Sequence, residues 1–211
     1  MGRNTKLQHF IDATGAVIRA RATDHPDMMP VADRVFSALE NARNAPAPAA
    51  TRSTQDNGAR PPAARLPACS YFNAAMDAAR AAPAVVAALA EALVEIEPDL
   101  TWTRRAGITP LDGAFYDSHA NAIIVGKGGL EHHDAVTIGI SLLAPGMPYP
   151  RHRHPPEELY VVLAPGKWMQ NDGPLVARRS GDLVYNAPGI WHAMQATDAP
   201  LLAIWCLWSE T

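Results

Sequence analysis

The sequence predicts a mainly β domain, a barrel or sandwich of short antiparallel strands, with an α-helical extension on its N-terminal side. Three observations carry this. After Trp102, short apolar runs recur between turn dipeptides. Before Pro98, apolar side chains fall instead at helical spacings, in an alanine-rich context. All 5 tryptophans lie on the far side of that boundary.

Taken in order, Leu7, Phe10, Ile11, Val17 and Ile18 mark a first amphipathic helix. Val31, Val35, Phe36 and Leu39 mark a second, after a start signal at residues 27–30. Residues 45–67 turn to Ala, Pro, Arg, Ser and Asn with no hydrophobic period, which predicts a long mobile connection, either a lid or a disordered tether. Helical patterning resumes over 71–80 and 83–96. There Val86, Leu89, Leu93 and Ile96 share one stripe, and Pro83 suits a helix start. Strands are expected at 122–125, 136–143, 158–163, 183–185 and 201–207. Between them stand Pro145-Gly146, Pro165-Gly166, Asp172-Gly173-Pro174, Ser180-Gly181-Asp182 and Pro188-Gly189. No longer period repeats, which disfavours a propeller or solenoid. The expected organisation is a helical extension over 1–100, including the 45–67 connection, and a β-barrel metal-binding domain over 101–211.

Composition narrows the function classes. With 48% hydrophobic and 18% charged residues, the 211-residue chain can build a core without disulfide staples. No apolar run is long enough for a membrane span. A net charge of −3 and a pI near 6.2 leave no basic excess for a phosphate backbone, so the expected partner is a small molecule, with neither nucleic acid nor membrane. Cys69 and Cys206 read as two thiols in a reducing compartment, the cytoplasm, with a single bridge as the alternative. Residues 1–22 carry Asp12 and Arg19 in place of an apolar signal core, so no secretory signal is visible.

The chemistry concentrates between Tyr149 and Tyr160. His152 and His154, at i and i+2 on a strand, project from one face. Pro155 and Pro156 interrupt the ladder, and Glu158 and Tyr160 form a second same-face pair beyond it. His192 follows the Pro188-Gly189 turn and can arrive from an adjacent strand. Three imidazoles and a carboxylate suit one divalent metal, Zn, Fe, Mn, Ni or Co, with positions left for substrate. A His-x-His pair alone is a weak signal; Glu158 and the downstream Pro-Gly-x-x-His make it specific. Glu157 has the opposite parity and is expected to be solvated or to support a ligand. His132 and His133 read as surface residues, and His9, His25 and His119 carry no metal reading. Trp191 is expected outside the barrel, Trp205 and Trp208 in core or interface, and Leu159, Val161 and Leu163 against the helices.

This pattern resembles the cupin superfamily. Gly146, His152, His154 and Glu158 match its first motif, with Gly166 closing it one residue late. Gly181, Pro188 and His192 match its second, with Ala196 where the motif ends in Asn. The implied fold is a double-stranded β-helix, or jelly roll. A closer resemblance, covering most of the second half, is to the cupin-type dimethylsulfoniopropionate (DMSP) lyases, especially the DddQ-like branch. It rests on Tyr149, His152, His154, Glu158, Tyr160, Trp168, the Asn171-Asp172-Gly173-Pro174 segment and residues 188–194. The resemblance implies metal binding by the histidines and Glu158, with His152 either ligating or hydrogen-bonding. It further implies Tyr160 as general base, Tyr149 as an active-site residue, a homodimer, and cleavage of a zwitterionic carboxylate to dimethyl sulfide and acrylate. The residues fit such a β-elimination. A nearby cation favours a tyrosine phenolate, and aromatic faces from Tyr149, Trp168 or Trp191 would attract a dimethylsulfonium group. The alternatives are another cupin metalloenzyme, such as a non-haem iron dioxygenase or a lyase on a different small carboxylate, and a non-catalytic metal- or metabolite-binding cupin.

Overall fold

A computed structural model describes residues 3–44 and 60–209. Helix α1 (Thr5–Ala20) starts at Asn4, whose side chain accepts from the Lys6 N–H, and it buries Leu7, Phe10, Ile11, Val17 and Ile18. Helix α2 (Met29–Asn44) buries Val31, Val35 and Leu39 but leaves Phe36 half-buried. Helices α3 (Phe72–Arg80) and α4 (Ala84–Ile96) follow, and the stripe of Val86, Leu89, Leu93 and Ile96 is fully inside. These four helices match the sequence spacings closely. A short helix, α5 (Ala114–Ser118), carried no such signal.

The strands are β1 (His119–Val125), β2 (Val136–Leu143), β3 (Pro148–His152), β4 (Glu157–Ala164), β5 (Gly166–Gln170), β6 (Val176–Arg178), β7 (Leu183–Asn186), β8 (His192–Gln195) and β9 (Leu201–Trp208). They form two antiparallel sheets, of order β1-β2-β9-β4-β7 and β3-β8-β5-β6, a double-stranded β-helix of the cupin type. The helices cover the outer face of the larger sheet. One apolar cluster joins Phe10, Val35, Met76 and Leu93 to Leu159, Val161, Leu163 and Ile204. A second, inside the barrel, gathers Tyr149, Tyr160, Val162, Trp168 and Met194. Period-two alternation along β4 and β9 separates the two.

Three expectations change. Pro165-Gly166 is not a plain turn: Gly166 opens β5, and a Cβ there would stand 2.2 Å from the Leu201 side chain, so close packing demands the glycine. His152 and His154 do not share a strand, because β3 ends at His152 ahead of the two prolines. Residues 45–59 of the expected mobile connection lie outside the described residues. Residues 60–67 are tied down, with Ala64 bridging Thr101, the Trp102 N–H donating to Ala64 O and Arg65 paired with Glu97. Cys69 and Cys206 are separate buried thiols. No described helix is long and apolar enough to cross a membrane.

Candidate metal centre

Four elements deliver the candidate ligands. Register pairs His152 on β3 with His192 on β8, and Glu158 on β4 with Asn186 on β7; His154 comes from the loop between β3 and β4. One nitrogen from each of His152, His154 and His192 lies within 4.8 Å of the others, so the triad can bind a metal. The Glu158 Oε2 oxygen stands 3.2 Å from His192 Nε2 and 3.5 Å from His154 Nε2.

The donor set fits a cation. Each imidazole Nδ1 faces a backbone carbonyl: His152 to Pro150 O at 2.9 Å, His154 to Pro156 O at 3.0 Å, and His192 to Ile190 O at 3.0 Å. A carbonyl only accepts, so each Nδ1 carries the hydrogen, and in the neutral ring each Nε2 presents a lone pair. His192 Nε2 is buried without a hydrogen bond. Converging lone pairs beside a buried carboxylate are mutually repulsive until a cation sits among them.

The electrostatics prepare the ligands. Burial, then the neighbouring His192, pushes His152 down to about 4, keeping it neutral near pH 7. Burial pushes Glu158 up, but the adjoining His154 and His192 rings outweigh it when they carry a proton and hold the carboxyl at about 2. Glu158 in turn raises His154 against its own burial, favouring the protonated ring there. Neutral imidazole and ionised carboxylate are the forms that bind metal; His152 and Glu158 are held in them, and a metal would displace the proton that Glu158 favours on His154.

Behind the ligands is a chain of amides that sequence reasoning missed. Asn186 Nδ2 donates to Glu158 Oε2 at 2.8 Å, and Asn186 Oδ1 accepts from Gln170 Nε2 at 2.8 Å. Its available signal was a polar Asn at the inward end of the strand opposite Glu158.

A cavity of ≈ 190 Å³ opens on this cluster, walled by Tyr149, Tyr160, Asn121, Ser141 and Trp205. The Tyr149 hydroxyl accepts from Asn121 Nδ2 at 3.1 Å, and its ring lies 5.2 Å from that of His152. Burial raises both phenols, Tyr160 well above its ordinary value, with the Glu158 charge adding to each.

Trp168 does not line this cavity; it is buried edge-on to Tyr160, 6.1 Å away, and supports that ring from behind. Trp205 takes its place on the wall, with its Nε1 donating to Ser141 Oγ at 3.0 Å. The indole lies against Gly139, where a Cβ would approach it to 2.2 Å. Trp191 is outside, as its parity predicts, between Arg151 and Arg153, each 4.8 Å from its ring. Glu157 is neither solvated nor in contact with a ligand: it pairs with Arg34 of α2 and accepts from the Tyr185 hydroxyl. His119 is a wholly buried structural residue, stacked on Phe115 at 3.9 Å. A larger cavity of ≈ 520 Å³, behind Pro155 and Pro156, contains none of the four candidate ligands.

Residues 38–203 match the dimethylsulfoniopropionate lyase family. The lyase DddQ of Ruegeria pomeroyi DSS-3 is 30% identical over 166 residues, which are 69% of this chain and 82% of that protein. Its crystal structure matches 83% of this chain and 88% of its own at a TM-score of 0.59 and 26% identity. A chain from the crystal structures of the DMSP lyases RdDddP and RnDddQII shares the fold over 97% of this chain and 92% of its own, with a TM-score of 0.64 and 21% identity. Its sequence, fold and imidazole cluster together make this chain a member of the dimethylsulfoniopropionate lyase family.

Proposed function

We propose that the protein is a metal-dependent carbon–sulfur lyase that cleaves DMSP to dimethyl sulfide and acrylate by β-elimination. The observation that carries this reading is the meeting of three Nε2 lone pairs and an ionised Glu158 with two tyrosines and a tryptophan around one small cavity. His152, His154, His192 and Glu158 would hold one divalent ion, Zn, Fe, Mn, Ni or Co. When bound, the ion supplies Lewis-acid stabilisation for charge developing on the substrate carboxylate.

The protein's residues supply the rest. Tyr160 takes the α-proton at its phenolic oxygen. The C–H electron pair becomes the new C=C bond, and the C–S pair leaves on sulfur as neutral dimethyl sulfide. Burial and Glu158 favour the protonated phenol of Tyr160; a cation held by the imidazoles would oppose both and favour the phenolate that serves as the base, its proton released to solvent. Tyr149 accepts from Asn121, which leaves its own O–H for an acceptor in the cavity such as the substrate carboxylate. The Trp205 face, fixed by Ser141, suits a methylated cation that cannot donate hydrogen bonds. Trp168 acts through Tyr160.

Headspace gas chromatography of metal-supplemented protein with DMSP tests the reading. Chelator-sensitive dimethyl sulfide with equimolar acrylate supports it. Oxygen consumption without dimethyl sulfide would replace it with dioxygenase chemistry. Tyr160→Phe should keep its metal and lose turnover by about 10²-fold or more; unchanged turnover would remove Tyr160 from the base role.

A further inference from the structure

Two adjacent arginines, one of them over the ring of the cavity residue Tyr149, differ in their partners. Arg104 is fully engaged: its guanidinium donates to Tyr116 O and to Asp117, both at 2.7 Å, and lies 3.6 Å over the Tyr116 ring. Arg105 is half-buried, and among the described residues its guanidinium has no hydrogen bond and no carboxylate partner. It lies over Tyr149, 5.7 Å from the ring. The cavity's own carboxylate, Glu158, faces His154 and His192 and accepts from Asn186.

The backbone of Arg105 is nevertheless held firmly. Its N–H donates to His119 Nε2 at 2.9 Å, while His119 Nδ1 faces Phe115 O and the ring stacks on Phe115. Phe115 in turn meets Tyr149 edge-on at 5.4 Å. A completely buried histidine therefore ties Arg105 to the aromatic cluster that carries Tyr149. A guanidinium carried on this anchored backbone, over Tyr149 and without a protein anion, is a ready receptor for an incoming one.

We propose that Arg105 is a specificity-determining residue that receives the substrate's carboxylate together with the Tyr149 hydroxyl, and so selects small anions for this pocket. The inference rests on the lyase reading for its substrate class. Arg105 takes one end of the zwitterion while the aromatic wall takes the other.

Calorimetric titration of the metal-supplemented full-length protein with acrylate tests this without turnover. Arg105→Met should weaken acrylate binding roughly 10- to 100-fold, and raise KM for DMSP by a similar factor. Arg105→Lys should recover part of the loss, keeping the charge without the planar fork. Arg104→Met is the control: it should lower Tm and leave acrylate affinity within about twofold. Should methionine at 105 impair folding, Arg105→Gln carries the same comparison. A folded Arg105 variant that binds acrylate as the wild type does overturns the inference. Arg105-dependent acrylate binding without dimethyl sulfide release sinks the lyase reading alone; release with Arg105-independent binding sinks this inference alone.

Discussion

Strand β4 turns Leu159, Val161 and Leu163 toward the helices and Glu158, Tyr160 and Val162 toward the barrel interior. On the first side burial is enough: apolar contact has no direction, and each side chain is held by the sum of its neighbours. On the second every polar atom needs a particular partner, and Glu158 has its own from three different elements. A sheet can thus put stability on one face and reactive groups on the other, with one residue of separation. The difference also appears at Glu157 and Glu158, neighbours in sequence. One fastens α2 to the sheet, and the other faces the imidazoles.

If the two faces are separable, substitutions on each should move different observables. The largest effect belongs to His192→Ala, which should abolish metal retention and dimethyl sulfide release while the far-UV circular dichroism stays native; full metal occupancy by mass spectrometry would contradict the ligand role. On the helical face, Leu93→Ala should cost about 2–5 kcal/mol in chemical denaturation and leave KM unchanged. Asn186→Ala lies between the two, removing the amide that orients Glu158. Metal affinity should fall roughly 10- to 100-fold in competition with a chelator.

A smaller effect concerns pH. Burial pushes His119 below its ordinary 6.5, so the fold favours the neutral ring and the unfolded chain binds more protons. The stability this contributes is complete above 6.5 and is lost as pH falls through the depressed folded value. Between about pH 7.5 and about pH 5, wild type should therefore lose more stability than His119→Gln, and parallel curves would refute the assignment. The smallest effect is Arg34→Met at the half-exposed ion pair with Glu157, expected to cost no more than about 1 kcal/mol. Loss of activity in that variant would join the two faces again.

What could be read from sequence follows the same division. The helix stripes were legible because burial on one side imposes a 3.6-residue period, and the longer strands because they are apolar runs between turns. Strand β6 was not, being three residues long with Val176 and Ala177 exposed and no alternation to detect. For the site, spacing brought together the His152, His154 and His192 triad that could hold a metal, although His154 arrives from a loop, and it placed Glu158 beside them. Which tryptophan faces the cavity was not recoverable. Trp168 and Trp205 are exchanged relative to expectation because that depends on where Gly139 leaves room and on the β2–β9 register, and neither is local. The amide chain through Asn186 and Gln170 was hidden for the same reason, joining residues from strands distant in sequence.

The carbonyls that fix the imidazoles lie only two residues away along the chain, at Pro150, Pro156 and Ile190. Each imidazole's orientation is therefore written into its own short peptide, and a metal held by them would not be needed to set it. Emptying and refilling such a socket is a reversible exchange on a standing frame. After chelation and dialysis, activity should return in one phase whose rate scales with added metal, with no slow conformational step behind it.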